Sequence, residues 1–269
     1  MDARSKLASP QPPDYGEAHH ATEPRASDII EHRSVKPLIR SASKGLSELP
    51  LLSGIDDRVR RRILAVSERR KMSARAHVFG EGTDAEHLHI VMSGTVELFG
   101  TAAGKEAIIG LVKPGESFIL AAVVKNAKTL MSARTNETSE ILYIPADTFR
   151  SAMHNDPILA VKVSLELGSG FRAMVKQLRD HKLRTSKQRL AAYLVRLARG
   201  EKRKGAIELP LNKRVLSSLL GMEPESLSRA FVELRPLGVE MHRQHVRIRD
   251  LSLIEELASC DWAVDDPQG

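Results

Sequence analysis

The sequence has a single cysteine, Cys260, among its 269 residues. One thiol excludes an intrachain disulfide, and it excludes an all-cysteine zinc site or iron–sulfur cluster within one chain. Long apolar runs are also missing, since none approaches the roughly 18 residues that cross a bilayer. The N-terminus has no apolar stretch of the secretory-signal type. These absences predict a cytoplasmic protein that makes no membrane contact.

The residue groupings that usually carry catalysis are missing too. The sequence shows no Ser/His/Asp arrangement, no metal-ligand spacing and no glycine-rich phosphate loop, which predicts a binding protein and not an enzyme. Aromatic residues make up only 4%, but the hydrophobic fraction of 42% is ordinary for a globular chain. The length favours two domains.

Positive charge is concentrated in one segment. The formal net charge is +7, yet residues 182–214 alone hold eleven Lys and Arg against two acidic residues. A basic block beside a nearly neutral remainder is typical of a polyanion contact. It is equally typical of a solvated helix face followed by a basic loop, here at 201–205, so charge alone leaves both interpretations open.

Three patterns follow one another in the N-terminal half. Residues 1–45 are proline-rich and poor in apolar residues, which predicts a disordered tail. Residues 46–72 are predicted to be helical, because their apolar residues recur at spacings of three and four. From 74 to 144, short β-type runs alternate with glycine, and this pattern predicts a sandwich or barrel.

A long helix is predicted next, with Asp156 as its cap, Pro157 at its first position and an end near His181. An apolar stripe at helical spacing runs along it. The stripe could pack on the β domain of its own chain or on a second copy, and we assign it to a homodimer interface. Its members are Val163, Leu167, Phe171, Met174 and Leu178.

The segment 213–235 carries the most specific signal. A short helix, a turn at Gly221 and a second helix opened by Pro224 form a helix-turn-helix pattern. Two β-type runs around 242–245 would form the adjacent wing. The apolar residues expected between the two helices are Leu216, Leu219, Leu227 and Phe231.

The second helix of such a motif reads base edges with its N-terminal side chains. Arginine can grip guanine O6 and N7, and glutamate can accept from cytosine N4. A plain surface ion pair between Glu225 and Arg229 is the alternative, but its position after the turn favours base reading. The predicted base-reading residues are Glu225, Ser226, Ser228 and Arg229. The predicted phosphate contacts are Lys213, Arg214, Arg243 and Gln244.

Short motifs make the chain resemble one known family over about residues 46–250. The matching pieces are His-Val-Phe-Gly-Glu-Gly at 77–82, His-Ile-Val-Met-Ser-Gly at 89–94, Lys-Pro-Gly-Glu at 113–116 and Glu-Ser-Leu-Ser-Arg at 225–229. They resemble the cyclic-AMP receptor/FNR regulators, and the last piece resembles the FNR/FixK/DNR-like branch. The resemblance implies that Glu225, Ser228 and Arg229 read a TTGA-type half-site.

The implied fold is α+β, and the implied partner is double-stranded DNA. A homodimer would read a palindrome such as TTGAT-N4-ATCAA, and it would contact RNA polymerase if it is an activator. The expected parts are a tail at 1–45, a cyclic-nucleotide-binding-like β-roll sensor with flanking helices at 46–154, a dimerisation helix at 155–182, a winged helix-turn-helix at 183–252 and a C-terminal tail at 253–269.

The sensor departs from the family where cyclic nucleotides bind. Ile119-Leu120-Ala121 replaces the ribose-holding Gly-Glu, and Thr129-Leu130 stands where an Arg-Ser pair would hold the phosphate. Arg134 could supply the missing cation if the alignment shifts by a few residues. The N-terminus also lacks cysteines for an iron–sulfur cluster. We therefore expect no cyclic-AMP dependence and no cofactor.

Three alternatives stay open. A haem could bind in the roll and make the protein a gas sensor; its candidate ligands are His77, His87, His89 and His154. An apolar effector pocket could be lined by Phe118, Leu120, Leu130 and Met174. In another class, the chain would be a cyclic-nucleotide-type regulatory module of an enzyme or transporter, with phosphate-binding residues and no DNA reader.

Overall fold

The computed structural model describes residues 49–200, 206–209, 213–242 and 245–259. The predicted tail at 1–45, the basic loop at 201–205 and Cys260 lie outside these ranges. The fold is α+β, as predicted: a β-roll, a long helix and a small helix-rich domain with a hairpin follow one another. Among the described helices, none has the length and apolar character that a bilayer crossing requires.

The β-roll consists of eight strands in two antiparallel sheets with three short helices. Its elements are α1 (Asp57–Val66), β1 (Glu68–Met72), β2 (His77–Phe79), β3 (His87–Ser93), β4 (Val96–Ala102), β5 (Lys105–Val112), β6 (Ser117–Phe118), α2 (Leu120–Lys125), β7 (Ser132–Thr135), β8 (Ser139–Pro145) and α3 (Ala146–Asn155). The sheets run in the order β1-β8-β3-β6 and β2-β7-β4-β5.

Apolar side chains fill both sides of the first sheet. One cluster lies between the two sheets and contains Val91, Val96 and Ile141. A second cluster packs the helices against the outer face of the first sheet and contains Phe149 and Leu159. Because alternate strand residues point to opposite faces, the two central strands, β3 and β8, contribute to both clusters.

The helix predicted over 46–72 is shorter than expected, and both of its predicted ends are wrong. Helix α1 spans only Asp57–Val66, and it ends where the Ser67 hydroxyl donates to the Ile63 carbonyl. The next five residues form β1, which pairs with β8. Strand β1 lies at the edge of its sheet, where charged residues are tolerated, so its sequence lacks the alternation that marks a strand.

The long helix α4 (Pro157–Leu183) confirms the predicted cap. The Asp156 carboxylate accepts hydrogen bonds from the backbone N–H groups of Ile158 and Leu159. The same carboxylate also accepts from the N–H of Asp56, so it joins the helix start to the segment before α1. The helix is therefore fixed to the roll at its N-terminal end.

The C-terminal domain consists of α5 (Ser186–Gly200), β9 (Ala206–Glu208), α6 (Lys213–Leu219), α7 (Pro224–Leu234), a 3-10 turn (Arg235–Leu237), β10 (Val239–His242), β11 (His245–Ile248) and α8 (Leu251–Ala258). Strands β10 and β11 pair antiparallel, which confirms the hairpin, and β9 pairs with β11. Helix α8 was expected to be tail from residue 253 onward. That expectation is wrong through residue 258, because Ile254 and Ala258 are buried in the core of this domain.

Candidate DNA-binding interface

Helices α6 and α7 are joined by a tight turn at Gly221. Gly221 has φ +59°, and the turn closes with hydrogen bonds from the Gly221 N–H to the Ser218 carbonyl and from the Met222 N–H to the Ser217 carbonyl. Leu216, Leu227 and Phe231 are buried between the helices, as predicted. Leu219 is only half-buried, and Leu220, the residue directly after α6, is the second leucine in this core.

The first turns of α7 present polar side chains to solvent. Glu225, Ser228 and Arg229 are exposed, and Ser226 is half-buried. Arg229 Nη2 donates to Ser226 Oγ at 2.9 Å. Within the described part of the chain, no ion pair closer than 4 Å joins Glu225 to Arg229. The carboxylate and the guanidinium therefore share one helix face without neutralising each other in a direct pair.

The predicted phosphate contacts lie in different surroundings. Lys213 is exposed at the first residue of α6. Arg214 follows it and is 53% exposed, but its guanidinium faces Glu97 at 3.6 Å and Glu106 at 3.9 Å on the roll. Arg243 and Gln244 lie outside the described residues. The N-terminus of α6 thus presents one exposed cation and one cation held near two carboxylates.

Part of the basic block is structural. Arg189 Nε donates to the Leu220 carbonyl at 3.0 Å, and its Nη2 donates to the Gly221 carbonyl at 3.3 Å, so α5 holds the turn. Asp180 accepts from both Arg184 and Arg196. This role could not be predicted, because in the sequence these arginines have the pattern of surface cations and their partners lie far away along the chain.

The apolar stripe of α4 divides into two halves. Val163 is buried in the roll core and Leu167 is partly buried against it. Val163 therefore cannot lie in a dimer interface, and its assignment there is wrong; periodicity could not show which neighbour the first half contacts. Phe171, Met174 and Leu178 are exposed. The second half of the stripe thus forms an uncovered apolar surface in the single chain.

The residues at the expected nucleotide position do not fit a cyclic nucleotide. Leu120 is buried among apolar side chains, Leu130 is exposed, and the Thr129 hydroxyl donates to the Gly80 carbonyl. Arg134 cannot replace the missing cation, because it bonds Glu97 and Glu106 and lies over the Phe99 ring at 4.2 Å. A phosphate would meet no free guanidinium among these residues.

Ile119, the first residue of the segment that the family resemblance places at the ribose-holding Gly-Glu, has a backbone conformation that favours glycine. Its φ is +57°, in the left-handed region, which is costly for a β-branched residue. The turn before α2 therefore has a conformation that glycine adopts without strain, although its residue is isoleucine. The carboxylate that would follow the glycine is replaced by the buried Leu120.

The four residues of the predicted effector pocket do not come together. Phe118 belongs to the cluster between the sheets, and Leu120 belongs to the cluster under the helices. Leu130 is 82% exposed and Met174 is 70% exposed. The predicted pocket is therefore wrong as a group, because the apolar tract around Phe118 is divided between two cores.

The haem candidates are three partly or fully exposed histidines and one buried histidine. His77, His87 and His154 are exposed or half-buried. His89 is buried, with Phe118 stacked 5.0 Å from its ring centroid and Tyr143 edge-on at 4.6 Å. A porphyrin would have to displace these buried rings, so the surroundings of His89 do not fit a haem. The described residues also contain no group of three ligand-type side chains that could hold a metal ion.

The roll, the long helix and the winged helix-turn-helix together define a DNA-binding regulator with a sensor-type domain. The family models agree with both ends of this arrangement. A cyclic nucleotide-binding domain model matches residues 69–156, and a Crp-like helix-turn-helix domain model matches residues 188–257. Together they cover more than half of the chain.

Two known proteins are similar to this chain over most of their own length. The cyclic AMP receptor protein of Thermus thermophilus is 26% identical over 212 residues, which is 78% of this chain and 96% of that protein. The anaerobic regulatory protein of Bacillus subtilis is 26% identical over 184 residues, which is 65% of this chain and 76% of that protein.

A solved structure shows the same fold. FixK2 from Bradyrhizobium japonicum superimposes with a TM-score of 0.64 at 19% identity, and the match covers 73% of this chain and 99% of that one. The chain belongs to the Crp/Fnr family of DNA-binding transcription regulators, which are not enzymes.

Proposed function

We propose that the protein is a homodimeric regulator that reads a TTGA-type palindrome through α7. The observation that carries this proposal is the exposed face formed by Glu225, Ser228 and Arg229 at the start of α7. Arginine at this point can bind guanine with two hydrogen bonds, and glutamate can accept from cytosine. The resemblance of Glu225-Ser-Leu-Ser-Arg229 to the FNR-like reader supports the same half-site.

The exposed second half of the α4 stripe supports the homodimer. Phe171, Met174 and Leu178 lie along one helix and form a continuous exposed apolar surface. Exposed apolar surfaces of this kind commonly mark a contact with another protein chain. A second copy packed on it in the same way would give a two-fold assembly. Two readers related by that axis would match a palindrome with half-sites about one helical turn apart.

Binding does not depend on cyclic AMP in this proposal. The buried Leu120 and the engaged Arg134 leave a nucleotide phosphate without a cation. Burying a phosphate without a charged partner is costly, so cyclic AMP should neither bind tightly nor raise the affinity for DNA.

The test is fluorescence anisotropy of the purified protein with a labelled TTGAT-N4-ATCAA duplex at physiological salt. We expect the palindrome to be preferred over a scrambled duplex of equal composition by roughly a thousandfold or more. Added cyclic AMP should leave both affinities unchanged. Equal, salt-sensitive binding to the two duplexes would overturn the assignment of the α7 side chains as base-reading residues. A large gain in DNA affinity on addition of cyclic AMP would show that binding depends on that ligand.

A further inference from the structure

Helix α6, the first helix of the helix-turn-helix, lies against strand β5 of the roll in the same chain. We call the helix-turn-helix formed by α6 and α7 the reader. The N–H of Ile108 donates to Ser218 Oγ at 2.6 Å. Strand β5 is the edge strand of its sheet, so an N–H that points away from β4 has no strand partner in the described structure. Ser218 supplies the missing acceptor, and Ile108 is buried beside this contact.

A buried carboxylate lies beside this contact. Val96 and Leu98 point into the core between the sheets, so alternation places Glu97 on the outer face of β4. Glu97 is nevertheless fully buried. Its Oε2 accepts from Arg75 at 3.1 Å and from Arg134 at 2.8 Å.

The second oxygen of this carboxylate faces the reader. Glu97 Oε1 has no hydrogen-bond partner among the described residues, and Arg214 Nη2 lies 3.6 Å from it. Glu106 lies 3.9 Å from the same guanidinium. Hydrogen bonding from Arg134 lowers the pKa of Glu106, so the Glu106 carboxylate carries its charge at neutral pH. We call Glu97, Glu106 and Ile108 together with Arg214 and Ser218 the docking contact.

We propose that the docking contact and duplex DNA compete for α6, so that the roll restrains the reader until the contact opens. This inference rests on the proposed function, because it takes Arg214 as a phosphate contact. A phosphate at Arg214 would approach two carboxylates that already lie within 4 Å of the guanidinium. Like charges at that separation repel, and Ser218 Oγ is already engaged by Ile108.

The charge balance of the roll allows the contact to open reversibly. Without Arg214, two carboxylates, Glu97 and Glu106, still face two guanidinium groups, Arg75 and Arg134. When the contact opens, each of these carboxylates therefore still has a cation beside it. A buried carboxylate that lost its only cation would be strongly destabilising. The Arg214 pairs are long and half-exposed, so each is weak on its own. Such a contact is strong enough to bias the position of α6 and weak enough to be displaced.

The first experiment weakens the contact without changing the base-reading face. Ser218→Ala removes the acceptor of the Ile108 N–H, and Glu106→Gln removes one of the two charges facing Arg214. Each variant should bind both the palindrome and the scrambled duplex about fivefold or more tightly than the unmodified protein does. A factor of about five is the lower end of the range for energetic coupling between two sites of a protein. The ratio between the two duplexes should stay unchanged, since the base contacts are the same.

Asp147→Asn is the matched control. It also removes one negative charge from the roll, but Asp147 pairs with Arg150, and none of its hydrogen bonds or ion pairs among the described residues involves α6. This control should bind DNA like the unmodified protein. If it gains as much as Glu106→Gln, the gain reflects net charge and the competition is disproved.

The second measurement is hydrogen exchange at the Ile108 amide. It should be protected in the free protein, less protected in Ser218→Ala, and exchange faster on saturation with the palindrome. Specific DNA binding with unchanged Ile108 protection and unchanged affinity in both variants would overturn the competition and leave the proposed function standing. Failure of every variant and of the unmodified protein to bind any duplex would overturn both.

Discussion

The imidazole ring of His181 lies directly against Gly221, with no room between them for a side chain. A methyl group built on Gly221 would overlap the His181 ring. His181 is near the end of α4, and Gly221 forms the turn before the recognition helix α7. The glycine therefore has two functions: it adopts φ +59° and it lets the long helix approach the reader.

Gly221→Ala should disturb the reader more than the backbone strain alone explains. The added methyl must push the His181 ring away, so we expect a lower Tm and a weaker affinity for the palindrome. Gly54→Ala is the matched control, because Gly54 also has a positive φ, +70°, but has open space around it. The difference in Tm between the two variants isolates the contact with His181.

A second substitution tests the cause. In the double variant Gly221→Ala with His181→Ala, the ring that the methyl meets is gone, so much of the lost DNA affinity should return. No recovery would mean that the loss comes from the turn itself and that the approach of α4 is unimportant for the reader.

Arg229→Ala should remove a base contact. We expect a loss of about 1–3 kcal/mol in palindrome affinity and a relaxed preference at the guanine of each half-site. Competition anisotropy with duplexes substituted at that base measures both effects. The assignment would fail if random DNA lost affinity to the same extent.

Lys213→Ala is the contrasting variant. Lys213 is exposed at the start of α6, and its expected partner is a phosphate. It should weaken all duplexes alike and reduce the slope of log affinity against log salt by about one. A loss confined to the palindrome would instead place Lys213 among the base contacts.

The local chemistry of the sequence was enough to locate the helix start and the reader. Asp156 before Pro157 is a capping signal, and the structure has the cap. Gly221 and Pro224 bracket the turn and the second helix within a few residues of each other. Such features depend on neighbouring residues only, so a single sequence displays them.

Features that depend on distant partners could not be predicted. Strand β1 is highly charged and becomes a strand only by pairing with β8. Periodicity revealed the stripe of α4, but it could not tell that Val163 meets the roll while Phe171 does not. Likewise, Arg214 looked like a plain phosphate contact, because Glu97 and Glu106 are more than a hundred residues away in sequence.

Phe171→Glu should convert a dimer into a monomer. Phe171 is 68% exposed in the single chain, so the charge costs little there, but it would be buried against a second copy. Sedimentation equilibrium at micromolar concentration gives the mass directly. Val66→Glu is the control, since Val66 is an exposed apolar residue outside the stripe. An unchanged dimer in Phe171→Glu would show that the interface lies elsewhere.

His89 should make the protein sensitive to mild acid. Burial lowers the pKa of His89 to about 3, with smaller effects from the charges of His87 and Arg70. In the unfolded chain this histidine has an ordinary pKa near 6.5. Below that pH the imidazole is therefore protonated in the unfolded state but stays neutral in the folded state. This contribution to stability is complete above pH 6.5 and is lost progressively as the pH falls toward 3. Between pH 7 and pH 5 the loss is about 2 kcal/mol.

His89→Phe should remove that pH dependence. A phenyl ring can keep the stacking on Phe118, and it replaces an Nδ1 atom that has no hydrogen-bond partner among the described residues. Urea unfolding at pH 7 and pH 5 should show a smaller difference in unfolding free energy for His89→Phe than for the unmodified protein. His154→Gln, at an exposed histidine, should behave like the unmodified protein. If His89→Phe loses as much stability at pH 5 as the unmodified protein does, His89 is protonated in the folded state, and its surroundings must admit the charge.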